Sequence, residues 1–140
     1  MIYRRYGGTI AVRIDRGEEV IEQLTKVLEA EGVRAGYVTA LGATNDVTFG
    51  LYSIETGVYD KQTLTGDMEI VSLVGNVSEM DGKPYIHLHI GACDKDMILH
   101  GGHLTSCRIS VTCELFLTVL DGVIDRKRDP DLGINLIHLD

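Results

Sequence analysis

Apolar residues follow two rhythms along the chain. Val20, Ile21, Leu24, Val27 and Leu28 fall at i, i+1, i+4, i+7 and i+8, which is one stripe of an α-helix. Glu18 and Glu19 stand in its first turn, where negative charge suits the helix dipole. Asp15 or Gly17 offers a cap, and Gly32 a left-handed stop. The spacing predicts a helix over about 18–31. Elsewhere the rhythm is two. Ile10, Val12 and Ile14 alternate with Ala11 and Arg13, predicting a strand over 9–14. Further strands are predicted over 35–43 (interrupted by Gly36 and Gly42), 47–53, 58–64, 69–77, 85–92 and 108–120, with a short last one in 132–139. Glu55-Thr56-Gly57 and Met80-Asp81-Gly82-Lys83 read as hairpin turns, Asp-Gly being a strong signal.

One helix against a largely antiparallel sheet is the natural α+β solution. A sheet edge or face of this size calls for self-association. The chain has no long linker, low-complexity tract or repeat, and 140 residues read as a single domain, 1–140. Such a chain buries roughly 68–70% of its unfolded surface, so it needs no disulfide or structural metal merely to fold.

Composition adds little to that picture: 44% apolar and 24% charged residues are ordinary globular values. No apolar run approaches the ~18 residues that cross a bilayer. The start, Met1 to Tyr6, lacks the apolar stretch of a signal peptide. The expectation is a soluble, cytoplasmic protein without membrane partners. Charge changes more. Lys plus Arg number 13 against 21 Asp plus Glu, a net charge of -8, which opposes phosphate-driven binding. Arg4, Arg5, Arg13 and Arg16 face only Asp15, and read as a charge-protected edge. Arg126-Lys127-Arg128 is cancelled by Asp125, Asp129 and Asp131 and reads as a surface turn. The three cysteines, Cys93, Cys107 and Cys113, are odd in number and form no CxxC. Cys107 and Cys113 share strand parity with Ile109, Val111 and Leu115, as small buried apolar groups would. Reduced thiols fit a cytosolic setting.

Histidine carries the candidate chemistry. In Tyr85-Ile86-His87-Leu88-His89-Ile90, His87 and His89 share one strand face and the aliphatic residues the other. Two such imidazoles stand about 6.6–6.8 Å apart at Cα and can converge on one metal ion. Downstream, His100-Gly101-Gly102-His103 offers a third ligand: the glycines permit a sharp bend that brings His103 against the strand face, with His100 as its rival. Three imidazoles make a catalytic-type zinc set with one position left for water or substrate. His138 stands apart. Glu69 and Glu114 lie in strands that read as buried, where a carboxylate needs a partner. Glu114 is either an acceptor for a metal-bound histidine or a general base, or else half of a salt bridge with Arg108 or Arg34. For Glu69 the salt bridge is the favoured reading. Dinucleotide, P-loop and nucleophile-elbow motifs are absent.

At these residues the sequence resembles the PPC domain, the plants and prokaryotes conserved domain. The likeness runs through Gly17-Glu18, Ala35-Gly36, Leu41-Gly42-Ala43 and Met68 to Asn76. It continues in Asp81-Gly82-Lys83-Pro84, His87-Leu88-His89, Gly101-Gly102-His103-Leu104 and Thr112-Cys113-Glu114. The resemblance implies an α+β homotrimer and a DNA-binding, transcription-associated role. Plant members pair the domain with an AT-hook; this chain has no Arg-Gly-Arg-Pro. The fold is more remotely similar to acetolactate decarboxylase, which holds zinc with three histidines. That likeness implies a site at His87, His89 and His103 for zinc or another divalent transition metal. The alternative to a DNA-associated module is then a zinc-dependent lyase or hydrolase taking a small carbonyl or ester ligand, with Glu114 as its candidate catalytic residue.

Overall fold

A computed structural model describes residues 1–139. Its elements are β1 (Ile2–Tyr6), β2 (Thr9–Asp15), α1 (Val20–Glu31), β3 (Gly36–Ser53), β4 (Val58–Met80), β5 (Lys83–Cys93), β6 (Leu99–Val119), β7 (Asp125–Arg128) and β8 (Asn135–His138). The α+β reading holds: one helix lies on a largely antiparallel sheet.

The helix begins at Val20, not 18. Its cap is Glu19, whose carboxylate accepts the Glu22 N–H at 2.7 Å. The other Glu19 oxygen accepts the Cys107 N–H at 2.9 Å, so the cap also ties the helix to β6. Asp15 and Gly17 lie outside the helix, in and just beyond β2. Gly32 stops it as expected, in the left-handed region at φ 63.

Segments predicted as separate strands are halves of longer ones. The stretches 35–43 and 47–53 join in β3, and 58–64 and 69–77 join in β4. The alternation is broken by bulges, not by turns. In β3 the buried positions pass from Val38 and Ala40 to Val47 and Phe49 across a register shift at Thr44 and Asp46. An extra residue reverses which parity faces inward. Thr44 fixes the bulge by donating its hydroxyl to the Arg108 carbonyl at 2.6 Å. In β4 a shift between Ile70 and Ser72 does the same.

Antiparallel pairs run β1–β2–β6–β3–β4, with β5 bonded to both β4 and β6. Because β3 also bonds both β4 and β6, these four strands close a ring of hydrogen-bonded neighbours. One parallel bridge, Glu79 to Asp125, attaches the β7–β8 hairpin to β4. As expected, β1 is an exposed edge, and its Arg5 pairs with Glu31 at 3.0 Å. The Asp81-Gly82 turn joins β4 to β5 with both residues at positive φ, as a primed hairpin turn requires.

Helix residues Leu24, Val27 and Leu28 are buried in one core with Ile10, Val12, Ile14, Leu73, Val77, Leu88 and Ile90. Burial pushes the Cys107 thiol up to about 11 and Cys113 up to about 12, so both stay protonated among apolar neighbours. The reverse face of the central strands is apolar yet open: Tyr37, Leu41, Val74 and Phe116 are exposed, Leu41 by 62%. Among the described residues, no helix is long and apolar enough to cross a membrane.

Candidate metal centre

Strand β5 sets the first two histidines. Leu88 and Ile90 turn into the core, so His87 and His89 project from the opposite face. Register supplies the third: His89 lies directly across from His103 on β6. The expected glycine bend does not exist. Residues 100–103 run straight through β6, and the glycines serve close strand approach. A Cβ at Gly101 would stand 2.2 Å from the Ile90 carbonyl oxygen, and one at Gly102 would stand 2.6 Å from that of Gly50. On the other flank, a Cβ at Gly75 would meet the His87 carbonyl oxygen at 1.9 Å.

One ligand nitrogen from each of His87, His89 and His103 lies within 4.8 Å of the others. The Nε2 atoms of His87 and His89 are 3.3 Å apart. Tetrahedral zinc with bonds of ~2.0–2.1 Å places neighbouring nitrogens roughly 3.3–3.4 Å apart. The pair is therefore already at ligating distance, and the His103 nitrogen lies within 4.8 Å of both. His103 Nδ1 is buried without a hydrogen-bond partner. An orphan of this kind is costly, and a cation at the cluster would engage the ring. The donor set fits a divalent transition metal.

Electrostatics favours the ligating form. Burial pushes the His87 ring down to about 4, helped by the positive potential of His103, Arg126 and His89. His103 is lowered too, first by burial and then by His89 and Lys61. Neutral imidazole is the species that binds a metal. Tyr59 tilts against His103 with ring centroids 5.0 Å apart.

His100, the rival ligand, lies elsewhere. Its Nε2 is 2.7 Å from an Asp94 carboxylate oxygen, and that contact is the first cause holding Asp94 below the usual carboxylate range. The other Asp94 oxygen accepts from the Asp96 and Ile98 amides, so the pair braces the turn before β6.

Neither glutamate joins the histidines. Glu114 is eleven positions beyond His103 along β6, on the order of 30 Å by strand rise. It is exposed rather than buried, on the open face, where it lies opposite Arg13 of β2 and Leu41 of β3. Neither expected salt-bridge partner reaches it: Arg108 donates to the Gly17 carbonyl and Arg34 pairs with Glu79. Glu69 is likewise exposed.

Arg126 was missed. Its segment is not a surface turn but strand β7, and Arg126 itself is 5% exposed. Its Nε donates to Ser78 Oγ at 2.7 Å, one Nη to the Asn135 carbonyl at 2.8 Å, and the other Nη to Asn76 Oδ1 at 2.7 Å. The guanidinium carbon stands 4.5 Å from the Tyr85 ring centroid. Asn76 pairs in register with His87, which brings the arginine beside the cluster. Together His87, His103, Arg126, Tyr59 and Tyr85 line a cleft of about 330 Å³, roofed by β8. Summing charge over 125–131 concealed this residue. Strand parity would have set Arg126 on the face opposite Asp125 and Lys127.

Known proteins match this architecture. A crystal structure of a candidate DNA-binding protein from Bacteroides thetaiotaomicron superposes with a TM-score of 0.95 at 30% identity, covering 98% of this chain and 96% of that one. A metal-containing protein from Archaeoglobus fulgidus gives 0.89 at 33% identity, with 99% of each chain covered. A plant- and prokaryote-conserved (PPC) protein from Pyrococcus horikoshii gives 0.86 at 27% identity, over 99% of this chain and 94% of that one. No curated protein matches the sequence. The signature of the Plants and Prokaryotes Conserved (PCC) domain spans residues 1–121, and the chain belongs to that family.

Proposed function

We propose that His87, His89 and His103 hold zinc or another divalent transition metal, and that the centre acts on a small carbonyl or ester compound as a lyase or hydrolase. The observation carrying this reading is a group of three imidazoles, two of which (His87 and His103) line a cleft, joined by no fourth His, Cys, Asp or Glu among the described residues. A three-ligand set leaves a coordination position for a reactant. The metal would polarise a carbonyl or lower the pKa of a bound water. His87, His89 and His103 would supply the three nitrogens, and Tyr59 packs against the His103 ring. Likeness to a metal-containing protein supports the assignment.

Elemental analysis tests it. Tag-free protein should carry about one metal ion per chain, and a His87→Ala/His89→Ala variant almost none. Equal content in two folded proteins refutes the site.

The same proposal includes a homotrimer in a cytoplasmic setting. Support for self-association is the open apolar face bearing Tyr37, Leu41, Val74 and Phe116. Val74 lies directly across from the exposed His89, so an interface there would border the metal centre. Glu114 sits on that same face, and a catalytic part for it belongs to this reading only across a subunit boundary. Three free thiols support the reducing compartment.

A second reading, a DNA-associated module, is favoured by similarity to candidate DNA-binding proteins from Bacteroides thetaiotaomicron and Ralstonia eutropha. It requires DNA affinity that falls steeply with salt. A gel shift without binding at low salt rejects it.

A further inference from the structure

We propose that Arg126 is a carboxylate receptor, and that the small molecule taken into the metal cleft is a 2-oxo monocarboxylic acid or a close relative. The proposal rests on the reading of the cleft as a metal-centred small-molecule site, and it names the class of ligand.

The argument begins with an unbalanced charge. Arg126 is 5% exposed, yet no carboxylate pairs with it among the described residues. Its partners are a hydroxyl, an amide oxygen and a backbone carbonyl, all neutral. A buried cation is costly unless an anion accompanies it. Arginine has five N–H donors in a rigid fork, and three are engaged by the protein. The two that remain belong to a guanidinium fixed from three sides and stacked on Tyr85. Such a group is pre-organised for a planar anion, because little motion is lost on binding.

Position gives the second half. Asn76 holds the guanidinium and pairs in register with His87, so anion site and metal ligands are neighbours across two strands. Arg126, His87 and His103 line one cleft of about 330 Å³, a volume for a small acid rather than a nucleotide. A carboxylate on Arg126 would share the cleft with His87 and His103, which places an adjacent carbonyl beside two of the three imidazoles. The remaining wall includes Ile134, Leu136 and Ile137, which suits a short alkyl group. One guanidinium with an apolar wall favours a monoanion over inorganic phosphate.

The wild-type chain gives the primary test. The side-chain Nε–H resonance of Arg126 is followed by NMR while pyruvate, acetate or inorganic phosphate is added. Pyruvate should shift it saturably, acetate more weakly and phosphate least. Calorimetry should show Arg126→Gln weakening pyruvate binding at least about tenfold, with Arg126→Lys intermediate. Metal content should stay at the wild-type level in both variants. An unmoved Arg126 resonance with metal bound overturns this proposal and leaves the metal reading standing. A resonance that shifts with pyruvate in a protein that takes up no metal upholds it and refutes the metal reading. Phosphate binding tighter than pyruvate overturns the carboxylate assignment. If Arg126→Gln fails to fold, the wild-type titration still decides.

Discussion

Gly101→Ala asks whether close strand approach builds the metal centre. The added methyl would stand 2.2 Å from the Ile90 carbonyl oxygen, which is backbone and cannot rotate away. Real Cβ contacts begin near 3.0 Å, so β5 and β6 must part by at least 0.8 Å at the Gly91–Gly101 pair. Ladder bonds of ~2.9 Å would stretch beyond ~3.5 Å, where they cease to count. Losing two of them costs about 0.5–1.5 kcal/mol each, and forcing a methyl into a full space adds about 1 kcal/mol or more. A loss of roughly 2–4 kcal/mol follows. The same parting separates His89 from His103, which face each other two positions along the ladder. Denaturant unfolding of metal-free protein measures the first effect, and zinc titration the second. Zinc affinity should fall at least about tenfold. Gly7→Ala is the control. Gly7 has positive φ, 58, but open space around its Cβ direction, so it should cost about 1 kcal/mol and leave zinc binding intact. Wild-type stability and zinc affinity in Gly101→Ala would refute the reasoning.

Three further outcomes are expected. In metal-free protein the His87 ring should titrate near pH 4 by NMR. Because folding lowers that pKa, the unfolded chain binds more protons between about 4 and 6.5, and stability should fall as pH drops through that window, by up to about 2 kcal/mol after allowing for partial solvent exposure; a flat profile across it would contradict the burial argument. Leu41→Glu/Phe116→Glu should convert the proposed trimer, three copies of 15.4 kDa or about 46 kDa, to monomers in sedimentation. An unchanged mass would rule out this face as the interface. His100→Ala should leave metal content at the wild-type level while speeding amide exchange at Asp96 and Ile98, since its partner is Asp94. Loss of metal would return His100 to the ligand set.

Much of this was legible in the residues. The helix stripe, the Asp81-Gly82 turn, the charged edge of β1 and the shared face of His87 and His89 all follow from local spacing. The failures have a common cause. Strands β3 and β4 looked like four because bulges invert the alternation halfway along, and no local rule separates a bulge from a turn. Gly101 and Gly102 looked like a hinge because permissiveness to bend and permissiveness to approach share one sequence signature. Only the register of β5 on β6 distinguishes them. Glu114 looked buried because its neighbours Cys113 and Leu115 are, although strand parity turns it the other way. Arg126 was hidden by its charged neighbours, and its burial depends on Ser78, Asn76 and Tyr85, about 40 to 50 positions earlier in the chain.

The family signature ends at residue 121, short of the hairpin that carries Arg126 and roofs the cleft. Three rings stand on the woven body, while the lid is fastened to it by one parallel bridge, by the Arg126 guanidinium and by the Tyr52 and Asn135 hydrogen bonds. Exchanging the tail for another is therefore expected to retune which guest the proposed site admits while leaving its three imidazoles in place.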